Sequence, residues 1–96
     1  MTKADIINQI VARTGIEKDA VSIVVEAIMD AIKHDMANGK NIYLRGFGTF
    51  LLKKRNEKIG QNINKGISVR IPAHIIPAFK PSKEFAVAVK TNVKVK

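Results

Sequence analysis

Gly39 separates two kinds of apolar pattern in this 96-residue chain. Before it, Ile6, Ile7, Ile10 and Val11 recur at helical spacing. So do Val21, Val24, Val25, Ile28, Ala31, Ile32 and Met36, with Ala20, Ala27 and Met29 widening the stripe. Apolar residues three and four apart mark a helix with one side turned to a core. After Gly39, "NIYLR" alternates apolar and polar residues, and "GFGTFLLKKR" resumes the extended pattern after a glycine turn. Helices first and strands second predict an α+β chain.

The helix ends are readable. Thr2 can cap the first helix with Asp5 three residues on, and Gly15 is suited to stop it. The second helix is predicted over residues 18–38, with Gly39 ending it, so the two make a helical hairpin. Pro72, Pro77 and Pro81 are expected to hold "IPAHIIPAFKP" out of helix and regular sheet. Ser82 then caps a short last helix, "KEFAVAVK", and "TNVKVK" has too little apolar content to be ordered. The expected organisation is one domain over 1–96: a helical dimerisation region over 1–39, sheet and arm over 40–81, a helix over 82–90 and a basic tail over 91–96.

One segment resists burial. "KIGQNINKGISVR", residues 58–70, reads as a hairpin, yet between Lys53 and Arg70 the only apolar positions are Ile59, Ile63, Ile67 and Val69. A half-buried strand alternates throughout, and an isolated ribbon is marginal in water. Residues 53–70 are therefore expected to form a protruding arm. Gly60, Asn62, Asn64 and Gly66 permit a tight turn at its tip, and Ile63 stands there with no core to join. A flexible surface hairpin whose lysines only aid solubility is the competing reading.

Charge says what such an arm meets. The net charge is +9, and acids balance bases through residue 52. In 53–70, Lys53, Lys54, Arg55, Lys58, Lys65 and Arg70 face only Glu57. In 71–96, Lys80, Lys83, Lys90, Lys94 and Lys96 face only Glu84. Excess positive charge confined to one half points to a polyanion, nucleic acid before an anionic membrane. Bases along the arm would lie on phosphates and release counterions, and an apolar tip residue suits a wedge between bases. The chain has no cysteine, which excludes disulfides and thiolate metal sites and fits a reducing, cytoplasmic setting. The opening "MTKADIINQIVARTG" is too polar for a signal peptide, and no apolar run reaches the roughly 20 residues of a membrane span. A small chain without disulfides leaves oligomerisation as its staple.

"GFGTF" (Gly46 to Phe50), followed by "KIGQNINKGISVRIPAHIIPAFKPSKEF", resembles the HU/IHF family of bacterial histone-like DNA-binding proteins over nearly the whole chain. The resemblance is nearer to the HU branch. It implies an N-terminal helical hairpin, a three-stranded antiparallel sheet with a long protruding arm, and a short C-terminal helix. It also implies an intertwined dimer, here a homodimer, whose two arms reach around DNA. Phe47, Phe50 and Phe79, with Ile28 and Ile32, would form the dimer core. DNA contacts would come from Lys3, Gly46, Lys53, Arg55, Lys58, Gln61, Asn62, Ile63, Asn64, Lys65, Arg70, Lys80 and Lys83. Minor-groove binding with an inserted apolar side chain is a property of that family, carried over with the resemblance.

The tip departs from the family pattern "GRNPxTG". Here it is "GQNINKG": Gln61 replaces arginine, Ile63 the wedge proline and Lys65 threonine. Isoleucine lacks the fixed φ of proline, so this tip is less preorganised. The resemblance implies an architectural protein of the nucleoid that bends or wraps double-stranded DNA with low specificity and prefers bent, nicked or junction substrates. No cofactor, metal or small-molecule substrate is expected.

Other readings are weaker. His34 and His74 lack the partners an active site needs, and no phosphate loop follows the "GFG" glycines. RNA binding would call for exposed aromatics, and Tyr43 and the four phenylalanines sit in apolar contexts expected to be core. Membrane binding would call for a basic amphipathic helix, and the bases lie on strands and loops instead. A site-specific, IHF-like role remains as the alternative within the family.

Overall fold

The computed structural model describes residues 1–62 and 67–95. The chain forms two compact units, residues 1–35 and 36–96. The first holds α1 (Lys3–Thr14) and most of α2 (Lys18–Ala37). Thr2 and Asp5 form a reciprocal capping box, and Gly15 closes α1 in the left-handed conformation at φ 74°. On these helices Ile7, Val21 and Met36 are buried. Val25 and Ile32 are half-buried. Val24 and Ile28, one turn apart on α2, stay exposed. The apolar stripe is thus wider than the surface this chain covers.

The second unit carries the sheets. β1 (Ile42–Leu44), β2 (Gly48–Arg55) and β5 (His74–Pro81) form an antiparallel sheet in the order β1-β2-β5. β3 (Lys58–Asn62) and β4 (Ile67–Ile71) form a separate antiparallel ribbon. β1 pairs with β2 from Gly48 to Phe50, so among the described residues β2 has β5 as its one strand neighbour from Leu51 onward. Lys53, Lys54 and Arg55, expected at the foot of the arm, therefore belong to the body sheet, opposite Ile76, Ile75 and His74.

Residues 71–81 differ from the sequence expectation. The prolines do not keep this segment out of the sheet: β5 pairs with β2 along its full length, Pro77 opposite Leu52. β5 is an edge strand, the place in a sheet where proline's missing N–H is tolerated. The last helix, α3 (Lys83–Asn92), runs two residues past the expected end. Asn92 Nδ2 donates to Ala88 O at 2.8 Å, and the Val93 amide reaches Val89 O at 2.9 Å, which satisfies carbonyls of the final turn.

Two glycines shape the β1–β2 junction. Gly46 takes φ 78°, a left-handed conformation glycine adopts without strain, and the Phe47 amide closes the turn on Leu44 O at 3.0 Å. At Gly48 a Cβ would stand 2.6 Å from both the Lys80 carbonyl and Cζ of Phe79. The bare backbone is what lets the Phe79 ring lie over the strand.

Candidate nucleic-acid interface

Directly opposed residues of an antiparallel pair share a face, and neighbours along a strand alternate. Those two rules sort the body sheet. One face carries Ile42, Leu44, Phe50, Leu52 and Lys54 from β1 and β2, with Phe79, Pro77 and Ile75 opposite on β5. The other carries Tyr43, Thr49, Leu51, Lys53 and Arg55, with Lys80, Ala78, Ile76 and His74.

The first face is aromatic. Phe50 and Phe79 have ring centroids 4.9 Å apart, and Phe47 lies 5.3 Å from Phe79. Phe85 of α3 completes the cluster, 5.4 Å from Phe47 and 6.1 Å from Phe79. Ser82 makes this possible by stitching the start of α3 to the turn. Its amide donates to Phe47 O at 2.8 Å, its hydroxyl to Gly46 O at 3.0 Å, and that hydroxyl accepts from the Phe85 amide at 3.1 Å. The same bonds hold Gly46 at the start of α3, where a Cβ on Gly46 would stand 3.7 Å from the Glu84 carboxylate. Even so clustered, Phe47 and Phe79 remain 46% and 38% exposed. The resemblance groups three of these rings in one core; Phe85, expected to be core as well, joins them from a separate helix.

The second face is basic. Register places Lys53 and Arg55 there together with Lys80, and turns Lys54 to the aromatic side. Among the described residues, none of Lys53, Arg55, Lys58, Lys80 and Lys83 enters an ion pair. Their charge is therefore presented to solvent uncompensated. Tyr43 corrects an expectation: it is 73% exposed rather than core. It holds the outward position of "IYL", opposite Thr49, while Ile42 and Leu44 take the aromatic face.

Two other candidate cations are paired. Arg70 Nε bonds the carboxylate of Glu57, and Lys3 Nζ bonds that of Glu26 within the helical unit. Exposed pairs of this kind contribute about 1 kcal/mol or less. On the ribbon, Lys58 stands opposite Ile71 and Ile59 opposite Arg70, so Lys58 and Arg70 lie on different faces. Gln61 is opposite Ser68 and Asn62 opposite Ile67 by backbone register. Ile63, Asn64 and Lys65 lie outside the described residues. Among the described residues there is no cluster of three or more His, Cys, Asp or Glu that could hold a metal, and no helix long and apolar enough to cross a membrane.

The arrangement matches known proteins. The family model described as bacterial DNA-binding protein covers residues 1–90. DNA-binding protein HU of Thermus thermophilus is 38% identical over 94 residues, spanning 98% of this chain and 93% of that protein. Integration host factor subunit beta of Paraburkholderia phytofirmans is 40% identical over 86 residues, spanning 88% and 79%. Among solved structures, the cocrystal of Anabaena HU with DNA is similar with a TM-score of 0.87 at 27% identity, covering 93% of this chain and 97% of that one. Matched over nearly its whole length, the chain belongs to the bacterial DNA-binding protein family that includes HU and the integration host factor subunits.

Proposed function

We propose that this protein is an architectural, histone-like DNA-binding protein: a homodimer that binds duplex DNA with low sequence specificity, bends it and helps compact the nucleoid. It acts by binding and bending rather than by catalysis. The observation that carries this reading is the basic sheet face, where Lys53, Arg55 and Lys80 stand unpaired on the side opposite the phenylalanine cluster. Phosphates neutralised there release counterions, which favours binding of any sequence.

Exposed apolar surface in each unit supports the dimer. Phe47 and Phe79, and on α2 Val24 and Ile28, leave apolar surface that a second copy of the chain would cover. Ile32, half-buried in one chain, belongs to the same proposed core. The arms then extend the basic surface along the minor groove. Lys58, Gln61, Asn62, Asn64, Lys65 and Arg70 contact backbone and groove, Lys3, Gly46 and Lys83 contact flanking phosphates, and Ile63 enters a base step as the wedge. Unstacking a step costs a few kcal/mol, offset by the contacts that bent DNA permits.

A site-specific role like that of integration host factor is the second reading, favoured by the 40% identity to a subunit of that factor. Competition separates the two. A labelled linear duplex of random sequence is displaced by unlabelled nicked, four-way-junction and linear competitors. The expected order is nicked or junction DNA well ahead of linear DNA, with linear sequences nearly equal among themselves. One linear sequence outcompeting the rest by more than about a thousandfold, the scale of sequence-specific binding, establishes the second reading instead.

A further inference from the structure

The pairing of β1, β2 and β5 sets three hydrogen-bond donors in one line across the basic face. Tyr43 is opposite Thr49, and Thr49 is opposite Lys80. All three share the side of the sheet that carries Lys53 and Arg55. Neighbouring strands lie about 4.8 Å apart, so the row spans roughly 10 Å from the first strand to the third. Tyr43 is 73% exposed, a costly position for a ring on a sheet unless something covers it. Among the described residues, the hydroxyls of Tyr43 and Thr49 and the ammonium of Lys80 have no hydrogen-bond or ion-pair partner.

We propose that Tyr43, Thr49 and Lys80 form a cross-strand row that seats the DNA backbone on the body of the protein, with the Tyr43 phenol donating to a phosphate oxygen and its ring lying against the neighbouring deoxyribose. The inference rests on the DNA-binding reading and adds to it a contact independent of the arms. Lys80 supplies charge. Tyr43 and Thr49 supply direction, because a neutral hydroxyl fixes where a phosphate sits without adding to counterion release. The row lies at the β1 end of the sheet and Lys53 and Arg55 toward the arm, so the two together orient the duplex along β2.

The chain contains one tyrosine and no tryptophan, so its intrinsic emission reports on Tyr43 alone. The unmodified protein is titrated with a short duplex while binding is followed in parallel by anisotropy of a labelled copy of that duplex. Tyrosine emission, corrected for absorption by DNA, is expected to change saturably along the anisotropy isotherm. Tyr43→Phe, which keeps the ring and removes the hydroxyl, is expected to weaken binding roughly three- to tenfold, as loss of one exposed hydrogen bond to a charged acceptor. Its salt slope stays at the parent value, whereas Lys80→Ala lowers the slope by about one. Thermal unfolding of Tyr43→Phe should match the parent, because an exposed hydroxyl with no partner is lost. Saturated binding with unchanged emission, or a Tyr43→Phe protein that binds like the parent, overturns the row while leaving DNA binding intact. Absence of any anisotropy change with the unmodified protein overturns the DNA-binding reading itself, and the row with it.

Discussion

Replacing Lys53 and Arg55 together by alanine is expected to weaken binding to every duplex alike and to flatten its salt dependence. With on the order of five to ten phosphates neutralised, log K falls with log salt at about 0.9 per phosphate. Two lost contacts therefore lower the slope by about 1.8, and affinity at moderate salt drops at least about tenfold. The register makes the test sharper than charge counting would. Lys54 lies between these residues in sequence but on the aromatic side of the sheet, opposite Ile75. Lys54→Ala removes the same charge as Lys53→Ala, yet it should change the slope much less. Anisotropy titrations across a salt series check both. Equal losses from Lys53→Ala and Lys54→Ala would show that the sheet face does not decide which cations meet phosphate.

Phe79→Ala is expected to produce the largest loss of stability. Its ring touches Phe50, Phe47 and Phe85 and lies over the bare backbone of Gly48, so its removal opens the centre of the cluster. Truncating a core phenylalanine costs about 3–5 kcal/mol, which is a large share of the stability of a small domain. Because the exposed side of Phe79 is assigned to a second copy, the loss should depend on protein concentration. Thermal unfolding at several concentrations, with sedimentation equilibrium, measures it. A parent protein that stays folded and monomeric at micromolar concentration contradicts the dimer; a mild, concentration-independent loss contradicts Phe79 as a member of the shared core.

What the sequence made legible is what depends on neighbours along the chain. The Thr2–Asp5 capping box, the left-handed glycines at 15 and 39 and the Ser82 cap each depend on a few adjacent residues, and each is present in the structure. The change of period at Gly39 was visible for the same reason. Pairing between distant segments was not. Pro77 argued locally against a strand, and only its place at a sheet edge permits it to be in one. Alternation alone shows that Lys53 and Arg55 share a face, but which residues join them depends on register with β1 and β5. That Tyr43 and Thr49 share this face with Lys80 was thus visible only in the register. Phe85 joined the aromatic cluster through Ser82, whose hydroxyl bridges residues 36 apart.

On the proposed reading this protein deforms the DNA it binds. The most direct measurement of that deformation is energy transfer between dyes at the two ends of a short duplex, as the protein is added to saturation. Transfer should rise with occupancy as the ends approach, and rise further when the duplex carries a central nick. Ile63→Ala should still bind and fold but give a smaller rise, since the wedge is lost while phosphate contacts persist. Saturated binding with the ends no closer than in free DNA would contradict the claim: the protein would then coat DNA through its charge without bending it.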